Sequence, residues 1–176
     1  MSDGRVRYAR DGKARIAYRM WGEADTTLVF VLGWVAGSID TFDSPTSLYG
    51  VILELFLPQT RVLCWDRRGS GLSDPLTDVP TLDERVDELC AVLDAAGVQN
   101  PVLWGAGEGG PVSIAFAARY PDRVHSLVLI LTAARFSEDL PDFPWGFSKA
   151  AIETQLDDID THWGEGALAD LWFGSG

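Results

Sequence analysis

"WGAGEGGPVS", residues 104–113, admits two readings, and the choice between them decides the fold. As Gly105-x-Gly107-x-x-Gly110 it fits the glycine fingerprint of a dinucleotide-binding turn. As G-x-x-x-G from Gly105 to Gly109 it fits a strand-turn-helix elbow of the kind that presents a nucleophile, with Gly107 at the nucleophile position and Gly110 extending the run of small residues. The rest of the chain arbitrates between them.

Working outward, apolar runs alternate with helical patterns in a βαβ manner, which is the pattern of an α/β protein with a mostly parallel sheet of about six strands flanked by helices. "RVRYAR" and "ARIAYRMW" flank Asp11-Gly12, a hairpin signal that makes the first two strands antiparallel neighbours. "TTLVFVLG", "RVLCWD", "PVLW" and "VHSLVLILT" read as further strands, the first of them apolar throughout, as in a strand covered on both faces. "SLYGVILELF" and "GPVSIAFAARY" read as helices. A third helix is predicted from Thr81 to about Ala96, with Thr81 and Glu84 as a capping box, Leu82, Val86, Leu89, Cys90 and Leu93 on one face, and Gly97 as its stop. Beyond Phe136 the character changes: Pro141, Pro144, Trp145, Trp163 and Trp172 punctuate an acidic segment whose only basic residue besides histidine is Lys149. This divides the chain into a core, residues 1–135, and a short helical appendage, residues 136–176.

Composition limits what such a chain does. A formal charge of -12 over 176 residues opposes the basic footprint needed for phosphate backbones and anionic membrane surfaces, so neither nucleic acid nor membrane is an expected partner. No stretch approaches the roughly 20 apolar residues of a membrane span, and "MSDGRVRYARDGKARIAY" has no apolar signal core, which makes a cytoplasmic location the expectation. Cys64 and Cys90 have no metal-ligand spacing and fall in apolar segments, as buried reduced thiols do; no metal is expected.

A dinucleotide site usually opens the first βαβ unit and closes it with an acid on the ribose. Here the glycines follow some four strands, the next strand ends in "LILTAAR" with Thr132 where the acid is sought, and Glu108 puts negative charge where pyrophosphate would sit. The elbow reading gains instead: an elbow needs small residues two before and two after its apex, and Gly105 and Gly109 supply them.

Three motifs in order then carry a resemblance to the α/β-hydrolase fold family. "VFVLGWV" is similar to its strand and oxyanion loop, with Leu32 replacing the usual His or Pro before Gly33. "DRRGSGLSD" resembles its D-x-R-G-x-G-x-S turn, which assigns a structural role to Asp66, Arg68, Gly69, Gly71 and Ser73. "WGAGEGGP" resembles its G-x-S-E-G-G elbow, with Gly107 in place of Ser. "YARDGKARIAYRMWG" and "GEGGPVSIAFAARYPDRVHSLVLI" look like hydrolase domains that occur alone or fused to class III nucleotide cyclases, although no cyclase segment is present.

The resemblance implies an esterase-like lineage, no cofactor, and backbone oxyanion donors in the loop Gly33-Trp34-Val35, Trp34 foremost, and at the elbow amide of Glu108. It also implies that the nucleophile is missing, because Gly107 has no side chain. The family's acid and His come from strands after its cap, and this chain stops at "LWFGSG" within the expected cap, so a partial fold with at least two strands absent is expected. His125 begins its strand, far from the elbow, and His162 lies in the appendage. Two classes of function remain open: a catalytically silent member that binds or regulates through a small apolar ester or carbonyl ligand, and a working esterase that needs a complementing chain. A dinucleotide site is the minor third. The strand at 126–132, apolar and without Pro or charge, is expected to be an exposed edge that invites self-association.

Overall fold

The computed structural model describes residues 4–33, 38–138, 141 and 143–162, and the chain divides into two units, Met1–Ala134 and Arg135–Gly176. Trp34, Val35, Trp163, Trp172 and the terminal Gly-Ser-Gly lie outside the described residues.

The first unit is built on a six-stranded sheet of β1 (Arg7–Asp11), β2 (Ala14–Trp21), β3 (Thr27–Val31), β4 (Arg61–Trp65), β5 (Val102–Ala106) and β6 (Ser126–Ile130), in the order β1-β2-β4-β3-β5-β6. β1 and β2 pair antiparallel across a turn in which Gly12 takes φ +57°, the left-handed conformation the Asp-Gly signal anticipates. β2 pairs antiparallel with β4, and every later pairing is parallel. From β3 the chain crosses first to β4 on one side and then to β5 on the other. The carboxyl end of β3 is therefore the point where crossovers diverge, and open α/β sheets form their ligand crevices there.

Helices α1 (Leu48–Phe56), α2 (Leu82–Ala96) and α3 (Gly109–Arg119) cover the sheet. Thr81 Oγ1 accepts from the Glu84 N–H at 3.2 Å and Glu84 Oε2 accepts from the Thr81 N–H at 2.7 Å, which closes the capping box. Gly97 ends the helix at φ +69°. Val86, Leu89, Val92 and Leu93 of α2 are fully buried with Ile16, Val29, Leu63, Leu103 and Phe116 in one core. The other face of the sheet carries Phe30, Phe42, Trp21 and Leu53 in a second core, with Phe30 5.4 Å from the Trp104 ring.

Two residues of the anticipated helix face behave differently. Leu82, the first residue of α2, is 48% exposed, and Cys90 is only half-buried beside Arg123. Both cysteines are free thiols, and burial pushes the Cys64 thiol far up. Among the described residues no helix is long and apolar enough to cross a membrane, and no group of three or more His, Cys, Asp and Glu is placed to hold a metal ion.

Among the described residues β6 pairs with β5 alone, and Leu129 is 45% exposed on it. Leu131, immediately after the strand, has φ +48°, a region a branched apolar side chain rarely adopts. In the second unit, α4 (Lys149–His162) is a helix with no buried residue among those described, and Ser137 bridges Phe147 ahead of it.

Candidate functional site

β5 ends at Ala106 and α3 begins at Gly109, so two residues turn the chain from strand to helix. Gly107 is the apex, with φ +53°. Its N–H donates to the Ile130 carbonyl at 3.2 Å, and its own carbonyl accepts from the Gly110 N–H at 3.1 Å and from the Thr132 hydroxyl. The turn is thus fastened to the carboxyl end of β6.

The glycines on either side are required by space. A Cβ on Gly109 would stand 1.7 Å from the Val31 carbonyl oxygen, one on Gly110 2.0 Å from Thr132 Oγ1, and one on Gly105 2.8 Å from Ser113 Oγ and 3.0 Å from the Gly110 Cα. At Gly107 nothing lies within 4 Å of that position. Glycine is demanded at 105, 109 and 110 by neighbours, whereas at 107 only the backbone angle favours it.

A Cβ on Gly33 would lie 3.2 Å from the Glu108 backbone nitrogen. The exit of β3 and the amide that precedes α3 are therefore adjacent. The Glu108 side chain stays beside this exit: its Oε2 lies 3.5 Å from where a Gly33 Cβ would stand and accepts from Arg67 Nη1 at 3.0 Å, with both side chains partly exposed. Ser113 is fully buried and donates to the Gly109 carbonyl at 2.8 Å. His125 sits before β6, its N–H bonded to the Pro101 carbonyl, about five residues of strand and so roughly 16 Å from Ile130 at the elbow end. His162 is the last residue of α4 in the second unit and is exposed.

The turn after β4 is a knot of polar contacts. Asp66, 3% exposed, accepts from the Ile39 N–H at 2.8 Å, the Leu72 N–H at 2.8 Å and the Ser38 hydroxyl at 3.3 Å. Burial pushes its carboxyl upward, and the Leu72 and Ile39 amides hold it down in part. Gly71, φ +51°, lets this happen, since a Cβ there would stand 2.1 Å from Asp66 Oδ2. At Gly69, φ +86°, a Cβ would instead meet the Leu76 side chain at 2.6 Å. Ser73 Oγ accepts from the Ala17 N–H at 2.9 Å and donates to the Asp66 carbonyl, while Asp74 takes Arg15, whose backbone and side-chain hydrogen bonds hold its carboxyl below the usual range. Arg68 Nε donates at 2.7 Å to Glu88 of α2, which also accepts from Arg85 Nη1 at 3.0 Å and is fully buried. The turn thereby ties β2, β4, α2 and the segment after β3 together beneath the crevice.

Arg67, Arg85, Glu88 and Trp65 emerge only from the folded structure. The Arg67–Glu108 pair spans 41 residues, and it is the order β4-β3-β5 that brings the two together.

A mostly parallel sheet with a glycine-lined elbow at the end of its fifth strand, beside the exit of its third, defines an α/β protein of the nucleophile-elbow type. The comparisons make the assignment specific: residues 26–165 match the alpha/beta hydrolase fold family, and the chain belongs to it. It is 36% identical over 140 residues to a bifunctional esterase/perhydrolase of Acinetobacter calcoaceticus, which covers 78% of this chain and 48% of that protein. It is 30% identical over 116 residues to the strigolactone esterase of Arabidopsis thaliana, covering 64% and 43%. The crystal structure of a bromoperoxidase from Bacillus anthracis superposes with a TM-score of 0.77 at 22% identity, over 96% of this chain and 59% of that one, a likeness of fold. The chain spans about half the length of the curated relatives it matches.

Proposed function

We propose that this chain is a non-hydrolytic member of the family, which holds a small apolar ester or carbonyl compound at the elbow amide of Glu108 without covalent turnover. The observation that carries this reading is Gly107 itself: the apex of an otherwise intact elbow has no hydroxyl, thiol or carboxyl to attack a carbonyl. The nearby groups do not substitute for it. Ser113 is buried against the helix backbone, the Thr132 hydroxyl is committed to the Gly107 carbonyl, and Glu108 is turned to Arg67. The backbone donors need no side chain at 107, so recognition of a carbonyl oxygen is compatible with loss of the chemistry. A dinucleotide finds the Glu108 carboxylate at the start of α3, where its pyrophosphate would need positive potential, and we set that reading aside. An esterase completed by a second chain would still lack a nucleophile on this elbow.

Hydrolysis of 4-nitrophenyl acetate tests the proposal. The parent and Glu108→Gln are expected to match a heat-treated control. Turnover by the parent that Glu108→Gln abolishes would show Glu108 acting as a nucleophile and would overturn it.

Gly107→Ser is expected to add a hydroxyl without hydrolysis, since the one histidine of the first unit lies at the opposite end of the sheet. The substitution meets no neighbour, so its cost is that of the positive φ alone, about 1–3 kcal/mol in a urea melt. A variant as stable as the parent, or one that turns over ester, would contradict this.

The β6 edge is the second part of the reading: copies of the chain associate through residues 126–132. The support is an apolar strand paired on one side only among the described residues, with Leu129 exposed. Sedimentation at micromolar concentration is expected to report a species heavier than 19.2 kDa, reduced by Leu129→Lys. A clean monomer of the parent would sink the idea.

A further inference from the structure

The sheet has a second edge, opposite β6. Among the described residues β1 pairs with β2 alone, and the hairpin they form carries cations that the fold leaves unused. The chain has 26 acidic residues to 14 basic ones, so acids are plentiful enough to pair every cation. Arg7, Arg10 and Lys13 are nevertheless the only Arg or Lys residues among those described whose side chains make neither a hydrogen bond nor an ion pair. All three are exposed, and all lie on this one hairpin. Arg10 also stands directly across from Arg15 in the register, an opposition of like charges that costs the sheet stability. The nearby acid, Asp74, is taken by Arg15 through its backbone N–H, Nε and Nη2. Tyr8, on the same face as Arg10, is 47% exposed, with the Arg15 guanidinium 5.4 Å from its ring centre.

The backbone of this edge is open as well. The two-residue turn at Gly12-Lys13 is closed by hydrogen bonding between Asp11 and Ala14. By the alternation of an antiparallel ladder, Ala9 and Arg7 then bond inward to β2, while the N–H and C=O of Tyr8 and Arg10 point outward. Charges on an edge strand keep copies of a protein from pairing there. That accounts for Arg7 and Arg10 but not for Lys13 in the turn, and in a chain of charge -12 the existing repulsion is reinforced by acids and weakened by cations.

We propose that β1 takes an acidic, extended segment of a partner protein as an additional antiparallel strand. The segment's backbone bonds to Tyr8 and Arg10, one acid faces Arg10, an apolar residue packs on Tyr8, and a second acid faces Arg7 on the other face of the sheet. The segment therefore reads acid-x-apolar-acid. A nucleic acid or an anionic membrane is broad enough to meet the rest of the acidic surface, which a single strand at the edge avoids. A second copy offers no match at its own free edge, because residues 126–132 contain no acid.

The peptide acetyl-Thr-Glu-Thr-Val-Glu-Thr-amide, titrated into the ¹⁵N-labelled chain, tests this. The expected result is a saturable set of amide shifts largest in β1, with hydrogen exchange at the Tyr8 and Arg10 amides slowed about fivefold or more at saturation. Binding is expected to weaken at least about fivefold in the double variant Arg7→Gln, Arg10→Gln, and to a similar degree when salt is raised from about 0.05 M to about 0.5 M. The two side chains are exposed and unpaired, so the variant is expected to keep the parent's spectrum outside the hairpin. Amides of β1 unmoved at about 2 mM peptide, or full affinity in the double variant, would overturn the proposal. So would unchanged exchange at Tyr8 and Arg10 in the bound state, or equal binding of a short oligodeoxythymidylate, either of which would show an anion patch without strand addition.

Discussion

Glu88→Ala is expected to lower the stability of the chain by about 3–4 kcal/mol, the lower part of the roughly 3–5 kcal/mol range for removing one partner of a buried ion pair. Glu88 is fully buried, while the Arg68 and Arg85 side chains that converge on it keep 21% and 15% exposure. Deleting the carboxylate removes the one buried acid that two guanidinium groups share; Asp11, 3.7 Å from Arg68 Nη2, the Arg68 carbonyl that accepts from Arg85, and residual contact with water keep the loss short of the upper end for buried pairs. The Arg68 backbone N–H, 3.4 Å from Glu88 Oε2, loses its acceptor as well. Because this contact anchors the turn after β4 to α2, the damage extends to the floor of the crevice. With a urea slope of about 1–3 kcal/mol per molar, the midpoint should fall by about 1 M or more. A midpoint unchanged within about 0.3 M would mean that the network contributes nothing to the fold.

Gly109→Ala is expected to be worse, with loss of about 4 kcal/mol or no folded protein at all. The added methyl would lie 1.7 Å from the Val31 carbonyl oxygen and 2.5 Å from its carbon, so two backbone segments would have to part. Neither can turn aside as a flexible side chain does, which places the change among the rare substitutions beyond the usual range. Gly107→Ala supplies the contrast. It meets nothing within 4 Å and pays only for φ +53°, about 1–3 kcal/mol. The order of the two melts is the test: Gly109→Ala as stable as Gly107→Ala would contradict the packing of α3 against β3.

What the sequence discloses follows from the range over which each constraint acts. The capping box at Thr81 and Glu84, the stop at Gly97 and the turn at Gly12 are set by a few neighbouring residues, and each can be read before folding. The elbow is legible for a related reason, because the crowding at Gly105, Gly109 and Gly110 recurs at a fixed spacing wherever a strand turns so sharply into a helix. Glu88 is not legible: an acid in the middle of α2 reads as part of the solvent face until Arg68, 20 residues earlier, is folded against it. Nor is the Arg67–Glu108 pair, which exists because β4 and β5 flank β3. Leu82 belongs to the apolar period of α2 yet stays exposed at its first position, since periodicity records which way a side chain faces and not what the fold lays against it.

The central claim, an intact elbow without a nucleophile, is tested most directly by covalent trapping. A fluorophosphonate probe, which phosphonylates activated serine and leaves a fixed mass increment, is incubated with the folded chain and the product weighed intact. The account predicts the unmodified mass of the parent with no adduct, because no side chain at position 107 can displace fluoride and the nearby hydroxyls of Ser113 and Thr132 are committed to backbone carbonyls. A stoichiometric adduct on the native protein, mapped to any residue of the elbow region and lost on heat denaturation, would contradict it.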